Sequence, residues 1–381
     1  MKQQKILLIQ PGHGISTSDV WSGAGDALLT MGYNVTGYEL KNRLRFYQEA
    51  VKGFIKGSQQ KVAISDIYSV ACQGLMTSIM KVWPDVIIYI TGQYIPPWVP
   101  ELIKLRFPHI KQVVWYTESP YMIAYEIQRA PLYDYVFTCD KVCENIYQRF
   151  NSNSYYLPTA FNSEYGWDRK GELSRWEKVI YTPDLFFVGS EVPGRLEFLK
   201  ELVQHLSGKK IEFKLFGAFP SIDAGLCPEL ESFFVPTTLS KFEVIKYYRN
   251  SKITINQFRI NESKSMALDP KTHQPIIGED GKEIVRDIIP YSLSPRVYEI
   301  MAAGAFLLTD YRAEIDELFV PGEDLVVFQD VADCAEKIME YLEKDKEREA
   351  TARSGQRKVQ EHTYINRMKK MMKIIGEDKS D

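Results

Sequence analysis

Short apolar runs recur along this chain at intervals long enough to hold a helix, and that rhythm restricts the fold more than any single motif. In the first half they fall at residues 6–9, 86–90, 113–116 and 135–137, and in the second at 185–188, 211–216, 253–256, 306–309 and 325–328. Each is rich in Val, Ile, Leu or aromatic residues. A strand that is apolar on both sides must be covered on both faces, as in a parallel sheet with helices above and below it. The alternation therefore predicts an α/β fold of doubly wound, Rossmann-like sheets.

At 381 residues the chain exceeds what one core ordinarily organises, and with 45% hydrophobic residues each half can bury its own. Residues 162–184 are polar and aromatic with little periodicity and read as the join. The expected domains are 1–170 and 171–381, facing each other across a cleft, with the C-terminal helix able to pack back on the first. The formal net charge of −3 gives no global field that would drive the chain onto nucleic acid. Charge is uneven, however: residues 1–170 hold 17 Lys/Arg and 14 Asp/Glu, which leaves 30 of the 47 cations and 36 of the 50 acids for the remainder. Five scattered cysteines, an odd number, argue against a disulfide framework, and Cys139 and Cys143 lack partners at zinc spacing. The first apolar run is too short for a signal peptide, and no stretch reaches the ~18 apolar residues of a membrane span. A cytoplasmic protein is expected.

The most informative motif is the stretch from Tyr291 to Gly304, followed at once by an apolar run. It reads as loop, capped helix, glycine stop and buried strand: Ser294 suits the N-cap, Pro295 the first helical position, and Gly304 the stop. A helix start offers unpaired N–H groups and a positive dipole end to a phosphate. Arg296 and Glu299, three apart, share a face and suit a nucleotide's diphosphate and ribose hydroxyls. The plainer alternative is an amphipathic helix whose Arg296 and Glu299 pair with each other in solvent.

Three further constellations sit where strands end, the position at which open α/β sheets bind ligands. Gly12, His13 and Gly14 follow the first run, in a turn that is not G-x-G-x-x-G because Thr17 holds the last position. Glu118 follows the run at 113–116, either as a general base or hydroxyl acceptor or as a cap for the next helix. Gly189 and Ser190 follow the first run of the second half, and Arg195 and Lys200 then offer two cations for a diphosphate, unless they are ordinary solvated residues. No Asp-x-Asp occurs, so the usual metal grip on a diphosphate is missing; nor is there a P-loop, a nucleophile elbow or His-Glu-x-x-His. Residues 259–290 break the rhythm with turn signals at Asp269-Pro270, Gly278 and Asp280-Gly281, and 276–288 is compatible with a hairpin that is either a lid or an elaboration.

Phe187-Val188-Gly189-Ser190 with Arg195, Ser294-Pro295-Arg296-Val297-Tyr298-Glu299, Gly304 through Asp310, Glu317-Leu318-Phe319, Pro321-Gly322-Glu323-Asp324-Leu325 and His362-Thr363-Tyr364 together resemble CgeB-type glycosyltransferases of the GT-B fold. The likeness covers most of 180–370 and extends more loosely to 115–120 and 156–158. It implies a nucleotide-sugar donor, with a UDP-sugar expected as substrate, no separate cofactor, no metal, and net retention at the anomeric carbon. By this resemblance Glu299 holds the ribose, Ser294 and Arg296 lie by the diphosphate, and Arg195 and Lys200 neutralise the leaving group. One departure stands out: related retaining enzymes often carry a second Glu eight residues earlier, where this chain has Tyr291.

The expected acceptor is a glycan or protein. Two alternatives stay open: a phage-type transferase acting on hydroxymethylated bases in DNA, and a non-catalytic nucleotide-sugar binder. The DNA alternative draws on residues 41–61, which hold six cations, one acid and three aromatics, a composition suited either to phosphates and unstacked bases or to a solvated helix face.

Overall fold

The structure, a computed structural model, describes residues 4–12, 17–56, 62–165, 173–260, 264–266 and 285–376. Its strands are β1 Lys5–Ile9, β2 Asn34–Tyr38, β3 Val86–Ile90, β4 Lys111–Tyr116, β5 Tyr135–Thr138, β6 Ser154–Tyr156, β7 Leu185–Ser190, β8 Phe213–Ala218, β9 Ile253–Asn256, β10 Lys264–Met266, β11 Val285–Asp287, β12 Leu307–Asp310 and β13 Val326–Phe328. Two sheets carry the fold. One runs β2-β1-β3-β4-β5-β6 and the other β13-β12-β9-β7-β8, with the paired strands parallel throughout. The two sheets share an ordering. The chain moves from the first strand to the neighbour on one side, then crosses back to the neighbour on the other. The first sheet therefore reverses between β1 and β3 and the second between β7 and β9, and such a reversal opens a crevice at the carboxyl ends of those strands.

The chain forms two compact units, one from Met1–Thr159, Glu262–Pro290 and Tyr364–Asp381, the other from Ala160–Asn261 and Tyr291–Thr363. In the first, Leu7, Ile9, Ile87, Tyr89 and Val114 of the sheet pack with Cys72, Leu75 and Ile79 of the helix Ile64–Val82. That helix buries positions 67, 71, 75 and 79, one stripe at a four-residue spacing, and stops at Trp83 with a left-handed φ of 50°. The helix Tyr364–Gly376 lies against the helix Ser18–Thr30. There Gly23 leaves room for the Tyr364 ring, which a Cβ would meet at 2.1 Å. Arg367 Nε donates to the Pro158 carbonyl at 3.0 Å, and Lys111 Nζ to that of Ile375 at 2.9 Å.

In the second unit the neighbours Phe186 and Phe187 enter different clusters. Phe187 joins Leu199 and Leu202, whereas Phe186 joins Tyr247, Tyr248 and Val297. Opposite-facing neighbours that are both fully buried are what a strand covered on both faces requires. The hairpin expected within 276–288 turns on residues 279–281, which lie outside those described; the described part, β11, pairs antiparallel with β10. All five cysteines are free and buried, and burial pushes the Cys72 thiol up to about 12. Among the described residues no helix is long and apolar enough to cross a membrane, and no three His, Cys, Asp or Glu side chains gather as metal ligands would.

Candidate functional site

The crevice of the second unit lies where β7 and β9 end, and the residues there are polar. Gly189 and Ser190 close β7 and face Gly217 and Ala218 of β8. Arg195, the first residue of the helix Arg195–His205, turns back: Nη1 donates to the Ser190 carbonyl at 2.7 Å, and Nη2 to the Gln257 carbonyl at 2.6 Å. From the helix Pro295–Ala302, Arg296 Nη1 donates to Asn256 Oδ1 at 3.3 Å. The two guanidiniums meet over the small residue. A Cβ on Gly189 would stand 3.2 Å from Arg195 Nη1 and 3.3 Å from Arg296 Nη2, and both cations lie over the Phe187 ring, 5.6 and 5.8 Å from its centroid.

The helix carrying Arg296 is built as the sequence leads one to expect, with one difference. Its C-terminus closes on left-handed Gly304 (φ 73°), with Gly304 N–H to Met301 at 3.0 Å and Ala305 N–H to Ile300 at 3.2 Å, the paired bonds of a Schellman stop. Its entry loop is pinned by the buried Glu314 carboxylate, which accepts the Leu293 N–H at 2.6 Å. Ser294 occupies the N-cap position, but its side chain caps nothing: Oγ is buried without a hydrogen-bond partner. A hydroxyl kept dry and unpaired at a helix N-terminus is a group that calls for an explanation.

Glu299, one turn on, is 8% exposed and takes Lys241 Nζ on Oε1 at 2.7 Å. Arg296 and Glu299 therefore do not satisfy each other in solvent; each has its own partner. Asp310, at the end of β12, accepts the Phe258 N–H at 2.9 and 3.0 Å. Burial pushes its carboxyl up to about 6, against the pull of that N–H and of Arg312 and Arg195. Lys200 is turned elsewhere, 3.2 Å from Glu229 in a different part of the unit.

In the first unit, Gly12 ends the β1 turn against Tyr94, whose ring a Cβ would meet at 2.1 Å. Tyr94 belongs to the loop after β3, where Thr91, Gly92 and Tyr94 all hold positive φ of 63–65°. His13 and Gly14 lie outside the described residues. Glu118 is half-buried just past β4. Behind it lies a carboxyl the sequence reading missed. Glu126 is fully buried; its Oε2 accepts from Ser119 Oγ at 2.9 Å and from the Tyr147 hydroxyl, while Oε1 has no partner. Burial, with a smaller push from the Glu118 charge, raises its pKa from 4.5 to about 7.

A carboxyl whose pKa is raised on folding favours the folded state while it is protonated. Glu126 therefore contributes stability below about pH 4.5 that is lost as pH rises through about 7. Glu126→Gln removes the titration and keeps a group able to accept both hydroxyls. The variant should gain on the wild type by roughly 2 kcal/mol between pH 5 and pH 8. Urea midpoints that keep a constant offset between the two proteins across that range would refute this.

In the helix Leu40–Ile55, Arg43 lies over the Tyr38 ring at 4.6 Å and Lys52 is 2.7 Å from Glu49. Two of the cations at 41–61 are thus engaged within the unit.

Sequence reasoning also passed over Asn256, Gln257, Asp310 and Lys241. The first three had a usable signal, because each is a polar residue at the end of, or just after, an apolar run. Lys241 had none, since its partner is 58 positions away.

Residues 195–373 match the family described as glycosyl transferase-like. No curated protein matches the chain. Among solved structures it is similar to sucrose-phosphate synthase from Thermosynechococcus elongatus, at 13% identity and TM-score 0.65, covering 98% of each chain. It is also similar to a glycosyltransferase from Rickettsia africae, at 12% identity and TM-score 0.61 over 100% of both chains. A third is HepE from Anabaena, solved with UDP, at 9% identity and TM-score 0.60 over 98% of this chain and 100% of that one. The family match and the two parallel-sheet units together support a glycosyltransferase of the GT-B fold, built from two Rossmann-like domains.

Proposed function

We propose that the second unit binds a nucleotide-sugar, with UDP as its nucleotide, and that the enzyme transfers the sugar to a glycan or protein acceptor with retention. The observation that carries this is the meeting of Arg195 and Arg296 at Gly189, beside a helix N-terminus whose Ser294 hydroxyl is buried and unpartnered. Two like charges over a residue without a side chain suit an anion seated between them. When the bond from the anomeric carbon to the diphosphate breaks, negative charge grows on the leaving oxygen. Fixed guanidiniums and helix N–H groups stabilise that charge without a metal. HepE, solved with UDP, supports the choice of nucleotide. The acceptor hydroxyl gives up its proton as its oxygen bonds to carbon, and Glu118 is the group we assign to that region, with His13 as the second candidate. The CgeB-like subtype and a cytoplasmic location belong to the same reading. A glycan or protein acceptor is preferred to DNA because the net charge of −3 gives no global field toward nucleic acid and Arg43 lies over the Tyr38 ring.

Glu299 tests the donor site. Lys241 holds one carboxylate oxygen in place, which orients the group for ribose hydroxyls. Glu299→Gln should weaken UDP binding about tenfold, as expected for charge-assisted bonds made neutral, with the thermal midpoint little changed. Calorimetric titration that returns the wild-type dissociation constant for UDP would remove Glu299 from the site.

A further inference from the structure

Asn256 is fully buried at the end of β9, and what it touches is unusual for a residue beside a partly buried cation. Its Oδ1 accepts from Arg296 Nη1 at 3.3 Å, and its Nδ2 donates to Thr309 Oγ1 at 2.9 Å. The hydroxyl in turn donates to the Asp310 carbonyl at 3.1 Å. The chain of bonds has one sense: the amide nitrogen is committed to Thr309, so the oxygen must face the guanidinium. Next door, Gln257 repeats the arrangement, giving Arg195 its side-chain oxygen at 3.2 Å and its carbonyl at 2.6 Å. Phe258 then donates its N–H to Asp310, which turns that carboxylate onto the backbone. A carboxylate is the common partner for a buried guanidinium, and it would cancel most of the charge. An amide oxygen fixes the same geometry and leaves the charge for an incoming anion.

We infer that Asn256 is a positioning residue of the donor site, holding Arg296 in place through a neutral oxygen so that its charge stays available to the donor's diphosphate. This rests on the donor reading above. It makes an electrostatic claim that a purely structural role would not. Asn256→Asp preserves shape and the oxygen toward Arg296, and Thr309 can rotate its hydroxyl to donate to the second oxygen. The variant should keep or raise its thermal midpoint and bind UDP at least tenfold more weakly, with uridine binding unchanged. Thr309→Val, which frees the amide to flip, should weaken UDP several-fold and also spare uridine, and it serves if the Asp variant does not fold. Arg296→Met separates the two ideas. If wild type and Arg296→Met bind UDP alike, or neither binds it, the donor reading falls and the inference with it. If Arg296→Met loses UDP while Asn256→Asp and Thr309→Val keep wild-type affinity, the donor reading stands and the role of Asn256 is overturned.

Discussion

Replacing Gly217 by alanine is expected to destabilise the second unit strongly, because a Cβ there meets the closest obstruction of any described glycine. Gly217 sits in β8 opposite Gly189 with φ of 129°, and a Cβ there would lie 1.7 Å from the Gly189 carbonyl oxygen. Nothing flexible can move aside, because the obstacle is the backbone of the neighbouring strand. Relief requires β8 to draw away from β7, which breaks ladder bonds at the end of the sheet that presents Gly189. Overpacking and an unfavourable φ act together, so a loss of about 3 kcal/mol or more is expected. Gly208→Ala provides the comparison, since φ is 76° there but nothing lies within 4 Å. It should cost only about 1 kcal/mol, the conformational part alone. Equal urea midpoints for the two variants would show that the contact with Gly189 has no energetic consequence.

Arg296→Met should abolish most of the affinity for UDP while leaving a folded protein. Charge-assisted bonds to a phosphate contribute about 1.5 to 3 kcal/mol, so the dissociation constant should rise between about tenfold and 150-fold. The fold should lose about 1 kcal/mol, because the variant leaves Asn256 Oδ1 without its named partner. Uridine affinity should be unaffected, and the dependence of UDP binding on salt should become shallower. Arg195 is a poorer probe of the same idea. It is 5% exposed and its side chain makes at least three hydrogen bonds within the unit, so its loss mixes folding with binding. A methionine variant that binds UDP within threefold of wild type would end the two-arginine account.

The interior strands were legible because burial on both faces writes itself as an unbroken apolar run. Residues 86–90 and 253–256 coincide with β3 and β9. The edge strands β2 and β6 escaped: β2 reads Asn-Val-Thr-Gly-Tyr, pairs on one side only and is partly exposed, so nothing demands an apolar run. The run at 211–216 was placed two residues early, because β8 continues through Gly217 and Ala218 to pair with Gly189 and Ser190. The same physics governs the site. Apolar signal stops where a sheet reaches its carboxyl end, and ligands bind there, so the residues that matter follow the recognisable pattern. Gly189, Arg195, Ser294 and Arg296 were accessible through local grammar, a glycine after a strand and a helix start. Asn256 and Gln257 were open to the same grammar, as polar residues where an apolar run ends, whereas Lys241 and Glu126 acquire their meaning only from partners elsewhere in the chain.

The helix Tyr364–Gly376, which covers the helix Ser18–Thr30 of the first unit, has a consequence for how the protein is made. The first unit leaves the ribosome without that layer, and the surface around Gly23 stays uncovered until everything between Thr159 and Tyr364 has been translated. At about 5 to 20 residues per second that wait lasts roughly 10 to 40 seconds. The second unit is continuous apart from one excursion and can close during this time. Order of synthesis and order of completion are therefore reversed: the unit begun first is finished last.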